Sequence, residues 1–440
     1  MPPPLLSELS PVTPRPPLSR VSRYTARFHM PAAFFDGLVA GTFTLNDIVL
    51  RKTFGASALL ITLMVMAQPV SQLLAIVWGR LMHGRSKRPF ILAFGGFGRT
   101  LLLLVALAST ATAFAVPVVL SIALAIAIIP ALNALYQSNY PDTERGRVFG
   151  QVLAVTSLAT IVSSMAAGWA MDHDREAYRI IYPLTGLVGL LGIWLYWRIR
   201  PRPAKGGAAT VVRGGDISPS EFFDALADAV RNPFRGAKTL YVADPNFLRF
   251  EIGYMLYGLG FMMLQPVIPL YLVDEIQVHY SEAATARGLI FWGMMALVSP
   301  VFGRLLDRWN AVRLSILGFA VLAVFPILLA VSHSLPGVYG AFALFGFAMS
   351  PVNIAWTMGP ILFAGKKDAA TYMGVHVTMV GIRGLIGNPM GLVLFKTFGS
   401  RPTFLVATLF FVAAMVVMIR LNRRLTPTPA PAPVPPPLPA

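Results

Sequence analysis

The sequence predicts an all-α membrane protein, with twelve transmembrane helices arranged as two pseudo-symmetric six-helix bundles. Three observations carry that expectation. The 440 residues are 56% hydrophobic and 12% charged, with a mean hydropathy of +0.66, whereas a water-soluble domain carries about a quarter charged residues. Continuous apolar runs of about 20 residues, the length that crosses a bilayer core as a helix, recur from residue 29 to residue 420. A charged turn near the end of the second run returns at the same place in the second half of the chain.

In order, the runs are 29–49, 56–79, 89–109, 114–137, 148–171, 179–198, 246–273, 284–306, 311–332, 336–364, 370–396 and 402–420. They are continuous rather than alternating and too long for barrel strands, which leaves helices as the spanning solution. Lys and Arg assign the sides, because positive charge stays on the cytoplasmic side of short loops. Of 36 such residues, 27 fall in the tails and loops on the side of the termini, and seven fall opposite: Arg51, Lys52, Arg175, Arg179, Arg287, Lys396 and Arg401. Arg99 and Arg383 lie inside runs. Both termini are therefore expected in the cytoplasm, with the chain in the cytoplasmic (inner or plasma) membrane. The net charge of +17 is then a topology signal, and nucleic acid is not an expected partner. Without cysteine there is no disulfide framework, thiolate chemistry or Cys-based metal site. Residues 1–28 contain no apolar core of a cleavable signal.

The segments outside the runs read as follows. Residues 1–28 and 421–440 are expected to be disordered, Pro-rich tails. Residues 29–198 and 246–420 form the two bundles, and 199–245 is a cytoplasmic loop between them. Within it, Ser218 as N-cap, Pro219 at the first helical position and Glu221 closing a capping box predict a short helix. Phe222, Phe223, Leu226 and Val230 share one side, as in a helix lying on the membrane surface; a soluble linker helix is the alternative.

An internal repeat links the halves. Gly79-Arg80-Leu81 and Gly303-Arg304-Leu305 are 224 residues apart, and the same shift sets Gly150 on Gly374 and Ala167 on Gly391. Repeats of this kind place two related bundles around a common axis.

At 303–313, "GRLLDRWNAVR" resembles the G-x-L-x-D-R-x-G-R-R turn that members of the major facilitator superfamily carry between their second and third helices. Gly303, Leu305, Asp307, Arg308 and Arg313 match; Asn310 stands where glycine is usual, and asparagine tolerates a left-handed backbone better than most residues. The first copy keeps Gly79, Leu81, Arg85, Lys87 and Arg88, with His83 in place of the acid and Ser86 in place of glycine. Span count, loop charge and the long central loop extend the resemblance over the chain. It implies secondary transport by alternating access, the bundles rocking about a central site. It also implies a conformational latch built from Gly79, His83, Arg85, Arg88, Gly303, Asp307, Arg308 and Arg313. In that latch Asp307 would meet Arg145, Gly146 and Arg147, and His83 would meet Lys366 and Lys367. With histidine in one copy, the latch is expected to be lopsided; the plainer reading is that both turns only anchor topology.

Polar groups inside the runs nominate the site, because a charge in hydrocarbon needs a partner or a wet cavity. Asp36 and Arg99 lie at similar depths, so Asp36 is either half of an ion pair or a proton-coupling carboxylate. His376 is the second proton-coupling candidate, with simple packing as the alternative. Arg383, among Gly381, Gly384, Gly387, Asn388 and Pro389, is expected on the cavity. Gln68 and Gln72, Asn133 and Gln137, Gln265 and Asn353 are candidate cavity polar groups, with Tyr254, Tyr257, Trp292 and Trp356 as aromatic walls. Pro266, Pro269, Pro351 and Pro360 are expected to break their helices.

Two features of drug/proton antiporters in that superfamily are missing: the fourth run lacks an arginine, and the fifth reads "SSMAAGWAM" with little beyond Gly168 of the expected Gly-Pro-x-x-Gly-Gly. No P-loop, metal-ligand cluster or nucleophile elbow is present, so neither an enzyme nor a cofactor nor a metal is expected. The chain reads as a secondary active transporter of a small organic solute, with proton-coupled efflux of an amphipathic compound preferred. Uptake of an anionic metabolite on Arg383 is the alternative. A non-transporting membrane sensor or scaffold that uses its Pro-rich tails is the alternative of another class. A monomer is the family default.

Overall fold

The computed structural model describes residues 17–82, 85–201, 237–365 and 369–425, with single positions between 220 and 227. Twelve helical spans follow one another: α1 (Arg20–Lys52), α2 (Ala58–Leu81), α3 (Arg88–Leu107), α4 (Ala111–Asn139), α5 (Asp142–His173), α6 (Tyr178–Arg198), α7 (Pro245–Glu275), α8 (Tyr280–Leu306), α9 (Ala311–Val331), α10 (Leu335–Ala364), α11 (Ala369–Phe398) and α12 (Ser400–Leu425). Among the described residues, eleven are long enough and contain an apolar stretch sufficient to cross a membrane, and α2 is apolar over the shorter Ala58–Leu74. The capping box expected at Ser218–Glu221 lies outside the described residues, as do the tails 1–16 and 426–440.

The pairing of helices repeats. In the first half α1 packs on α5 and α6, α2 on α4, and α3 on α6; in the second, α7 packs on α11 and α12, α8 on α10, and α9 on α12. Each of these contacts recurs six helices later, so the repeat read from the charged turns is also a repeat of packing. Small residues set the closest approaches: a side chain at Gly37 or Gly41 of α1 would collide with the α5 backbone at Thr156 and Thr160.

Three local features differ from the sequence expectation. First, α1 starts at Arg20 rather than 29, because its end is set by hydrogen bonding and not by the hydrocarbon boundary. The Ser19 hydroxyl accepts the Ser22 N–H, and Glu144 of α5 accepts both the N–H and the hydroxyl of Ser19 at 3.0 Å. Second, the prolines do not break their helices: α10 runs unbroken past Pro351 and Pro360, and α7 continues through Pro266 and Pro269 into a π-helical turn, Tyr271–Glu275. A proline removes one backbone bond, and neighbouring helices together with local π adjustment absorb the loss. Third, Asn310 is extended (φ −90°) rather than left-handed, and its side chain caps α9 by accepting the Arg313 N–H at 2.9 Å.

The bundles meet most extensively through α2 with α11 and α5 with α8, with smaller contacts of α1 and α2 on α7 and of α1 on α8. On the face opposite the termini the joint is dense. Arg51 of α1 forms a bidentate pair with Asp274 of α7 at 2.8 Å, and Lys52 donates to the Val278 carbonyl. Asp172 of α5 accepts the N–H groups of Tyr280 and Ser281, at 2.7 and 2.9 Å, and so closes the start of α8. Gly168 and Gly288 let α5 and α8 touch there. Toward the termini the same helices part. On α5, Phe149, Gly150, Gln151, Leu153 and Ala154 are all exposed, more of the circumference than a lipid-facing stripe alone occupies. A side chain added at Gly150 on α5, Gly303 on α8 or Gly374 on α11 would meet nothing within 4 Å. The molecule is closed on the far face and open on the face of its termini.

Candidate functional site

Above the far-face joint, α1, α2, α7, α8 and α10 enclose a cavity of about 280 Å³ lined by Thr44, Gln68, Phe261, Gln265, Arg287, Phe291, Trp292, Phe342 and Phe345. Both bundles contribute, which is the placement alternating access requires. Five aromatic rings form its walls, with Phe291 and Phe345 stacked at 4.6 Å. Gln68, Gln265 and Trp292 are brought together here from three different helices.

Arg287 was counted among the far-side loop cations, yet it borders this cavity. The π-helical turn Thr285–Ile290 in α8 carries it inward. Its guanidinium grips Asp47 of α1 through two bonds, one of them 2.9 Å, so the cation on the cavity wall is already neutralised. That bridge also joins the bundles.

Two further charge groups lie within the bundles. In the first, Arg99 reaches from α3 to Asp36 on α1 at 3.2 Å, passing over Gly189 of α6, where any side chain would block it. In the second, His376 of α11 and Glu251 of α7 meet at 2.6 Å, both buried. Seven residues after His376, two helical turns along the same face, Arg383 is buried and donates to the Tyr254 carbonyl at 2.8 Å. Gly258 leaves room for the Arg383 side chain. Contrary to expectation, Arg383 therefore lies in the α7–α11 interface rather than on the cavity: the glycine opposite it lets the chain fold flat against α7, where the Tyr254 carbonyl accepts a hydrogen bond from its guanidinium and the Tyr257 ring lies 5.8 Å away. Glu251 escaped the sequence reading because it stands near the start of its run, where an acid reads as water-exposed. The signal that finds it is the shared face of residues 251, 254 and 258 on α7.

Three expected aromatic walls are packing residues, Tyr254 among them, fully buried with its hydroxyl 3.0 Å from that of Ser315. Tyr257 is buried and stacked on Phe319 at 4.9 Å, and the Trp356 ring lies 5.1 Å from His376. Gln72 has a buried carbonyl oxygen without a partner among the described residues. Asn133 and Gln137 are exposed one turn apart on α4, and Asn353 is exposed on α10 with its amide 3.5 Å from the Met295 sulfur.

A family model of the Major Facilitator Superfamily matches residues 30–247 and 250–439. The chain belongs to that superfamily. Solved structures of the superfamily fold overlie it nearly end to end. A bacterial homologue of the human lysosomal transporter Spinster, inward-facing and unoccupied, matches with a TM-score of 0.65 at 14% identity, covering 94% of this chain and 100% of that one. The nucleoside transporter NupG, as a D323A mutant, gives 0.65 at 11% identity over 90% and 99%. The human organic anion transporter MFSD10 gives 0.64 at 15% over 92% and 100%. At such identities the likeness is one of fold. A probable nitrate transporter, NarT, of Staphylococcus epidermidis is 27% identical over 214 residues, 48% of this chain and 52% of that protein, so the match spans about half the length of that relative. As a superfamily member the chain is a membrane-embedded secondary transporter and not an enzyme.

The residues expected to form a latch are described only in part. His83 and the side chains of Gly79 and Asp307 lie outside the described residues. Arg85 donates to the Leu81 carbonyl at 2.8 Å, and Arg88 donates to the Trp197 carbonyl at 2.7 Å while stacking on that indole. Arg308 is exposed, and the Arg313 backbone is tied to Asn310.

Proposed function

We propose that this transporter carries a small organic solute with an aromatic or apolar body and hydrogen-bonding edges, held in the cavity between the bundles. The observation that carries this reading is the cavity lining: five aromatic rings, the two amides Gln68 and Gln265, and a cation already held by Asp47. Apolar walls with a few placed polar groups are what binds such solutes. A small inorganic anion would instead need free positive charge to replace its hydration. Burial of Arg383 likewise counts against anion uptake on that residue. The excess of Lys and Arg on the side of the termini supports a cytoplasmic position for that face, and hence for the cavity mouth.

Proton coupling belongs to the same reading. The Glu251–His376 pair is buried, and Glu251 Oε2 and His376 Nε2 have no partner among the described residues, so the pair has spare sites for one proton. Reconstituted protein, screened for exchange of labelled solutes, tests both parts. Trp292→Ala and Gln265→Ala are expected to raise KM by about tenfold or more, the equivalent of a lost stacking contact or amide hydrogen bond at about 1.5 kcal/mol. Glu251→Gln is expected to keep solute exchange and lose accumulation driven by a pH gradient. Unchanged KM in both cavity variants refutes the site, and gradient-driven accumulation in the Glu251 variant refutes the coupling.

A further inference from the structure

A second cavity, of about 350 Å³, opens where α1, α3 and α6 meet at the face of the termini, lined by Tyr24, Phe28, Arg88, Trp197, Arg198 and Arg200. Its charge is of one sign: three arginines and no carboxylate. Two of its cations are also held in place. Arg88 is fixed by its bond to the Trp197 carbonyl and by stacking 4.7 Å from that ring, and Arg198 stacks 4.6 Å from Trp194. The Tyr24 hydroxyl donates to the Arg198 carbonyl and ties α1 to the end of α6. Arg198 and Arg200 are exposed. Three arginines lining one hollow suit a phosphate, which planar guanidinium groups bind in a fork geometry that lysine does not offer.

What lies beneath the hollow identifies the source of that phosphate. Along α3, Leu92 and Phe97 are exposed, and along α6, Leu184, Leu187, Leu191 and Trp194 are exposed. These side chains descend from the arginines into the depth of the membrane on the outer side of the bundle, away from the solute cavity. A soluble phosphate uses none of that surface, whereas a phospholipid's acyl chains lie along it. Tryptophan and tyrosine at the rim match the headgroup layer. We infer that this hollow binds the headgroup of an anionic phospholipid, with its chains in the groove between α3 and α6. Basic pockets between membrane helices on the cytoplasmic side are suited to such headgroups. The site is separate from the solute cavity and stands whether or not the proposed substrate class is right.

The test is native mass spectrometry of the full chain in mild detergent, titrated with phosphatidylglycerol and with phosphatidylcholine. The variant is Arg198→Gln/Arg200→Gln, both residues being exposed. Its control is Arg423→Gln/Arg424→Gln, which removes the same charge from the end of α12. The wild type is expected to retain phosphatidylglycerol in preference to phosphatidylcholine. The Arg198/Arg200 variant is expected to lose about fivefold in affinity per arginine, the equivalent of about 1 kcal/mol each, while the α12 control keeps wild-type affinity. An equal loss in the control, or no loss in the variant, overturns the site. Displacement of the bound lipid by millimolar inorganic phosphate overturns the lipid assignment.

Discussion

The bridge between Asp47 and Arg287 tests whether the far face is held shut by charge. Its side chains are 6% and 20% exposed, with a second N–O contact of 2.9 Å. At an effective dielectric constant of about 20, unit charges about 4 Å apart attract by about 4 kcal/mol. Desolvating the two groups offsets part of this, and a charge-assisted bond in such a setting contributes about 1.5–3 kcal/mol net. Because the bridge spans the two bundles, Asp47→Asn removes that stabilisation only from the state closed on the far face. A change of about 1.4 kcal/mol is a factor of ten in population, so the far-open fraction should rise about 10- to 100-fold. The chain has no cysteine, so spin labels can be placed at Arg175→Cys and Glu275→Cys without background. Both positions are exposed on the far face, one in each bundle, and double electron–electron resonance reads their separation. Asp47→Asn and Arg287→Gln should each lengthen the distance distribution, and the charge exchange Asp47→Arg/Arg287→Asp should restore part of the short component. Wild-type distances in both single variants would refute the argument.

Other outcomes follow from the packing. Gly384 of α11 lies against the Pro69 ring of α2, so Gly384→Ala should destabilise the protein by about 1–3 kcal/mol through overpacking. Gly374→Ala, facing open space, should be neutral or slightly stabilising; thermal unfolding in detergent that ranks the two the other way contradicts the placement of α11. His376→Leu should cost about 3–5 kcal/mol by leaving Glu251 buried without its partner, and Glu251→Leu/His376→Leu should recover much of that loss. A double variant no more stable than the single would argue against a buried pair. Arg99→Gln should cost about 1.5–3 kcal/mol, the net contribution of a hydrogen bond to a charged group, because the buried Arg99 meets Asp36 inside the bundle; no measurable loss in chemical denaturation would argue against that pair.

Residues that read poorly in one dimension share a physical cause. Hydropathy marks a residue's solvent and not its neighbour, so Glu251 near a helix start looked water-exposed and its partner His376 looked alone. Arg287 read as a loop cation because its distance from the apolar run was counted along the chain, while the π-helical turn sets its direction in space. Arg383 read as a cavity charge because it stands mid-way along a helix that the superfamily resemblance sets beside α2 across the two halves. The glycines around it admit Pro69 and Leu73 of α2 and Met262 of α7, and the arginine rests against Gly258. Asp36 and Arg99, read from the sequence as lying at similar depth, meet at 3.2 Å, since opposite charges in one bundle at one level have few other partners.

The sequence by itself determined the solvent, the number of spans, the side of the termini expected from the basic loops, and the kinship of the two halves. Each of these is a local property or a repeat: apolar length, charge between runs, and a fixed spacing. Tertiary structure alone decided which polar groups face the solute, which ones neutralise one another, and which face is shut. Those outcomes depend on helix rotation and on contacts between residues hundreds of positions apart, such as Asp47 with Arg287. A glycine or a π-helical turn of a few residues sets such contacts without altering the hydropathy of the segment that contains it.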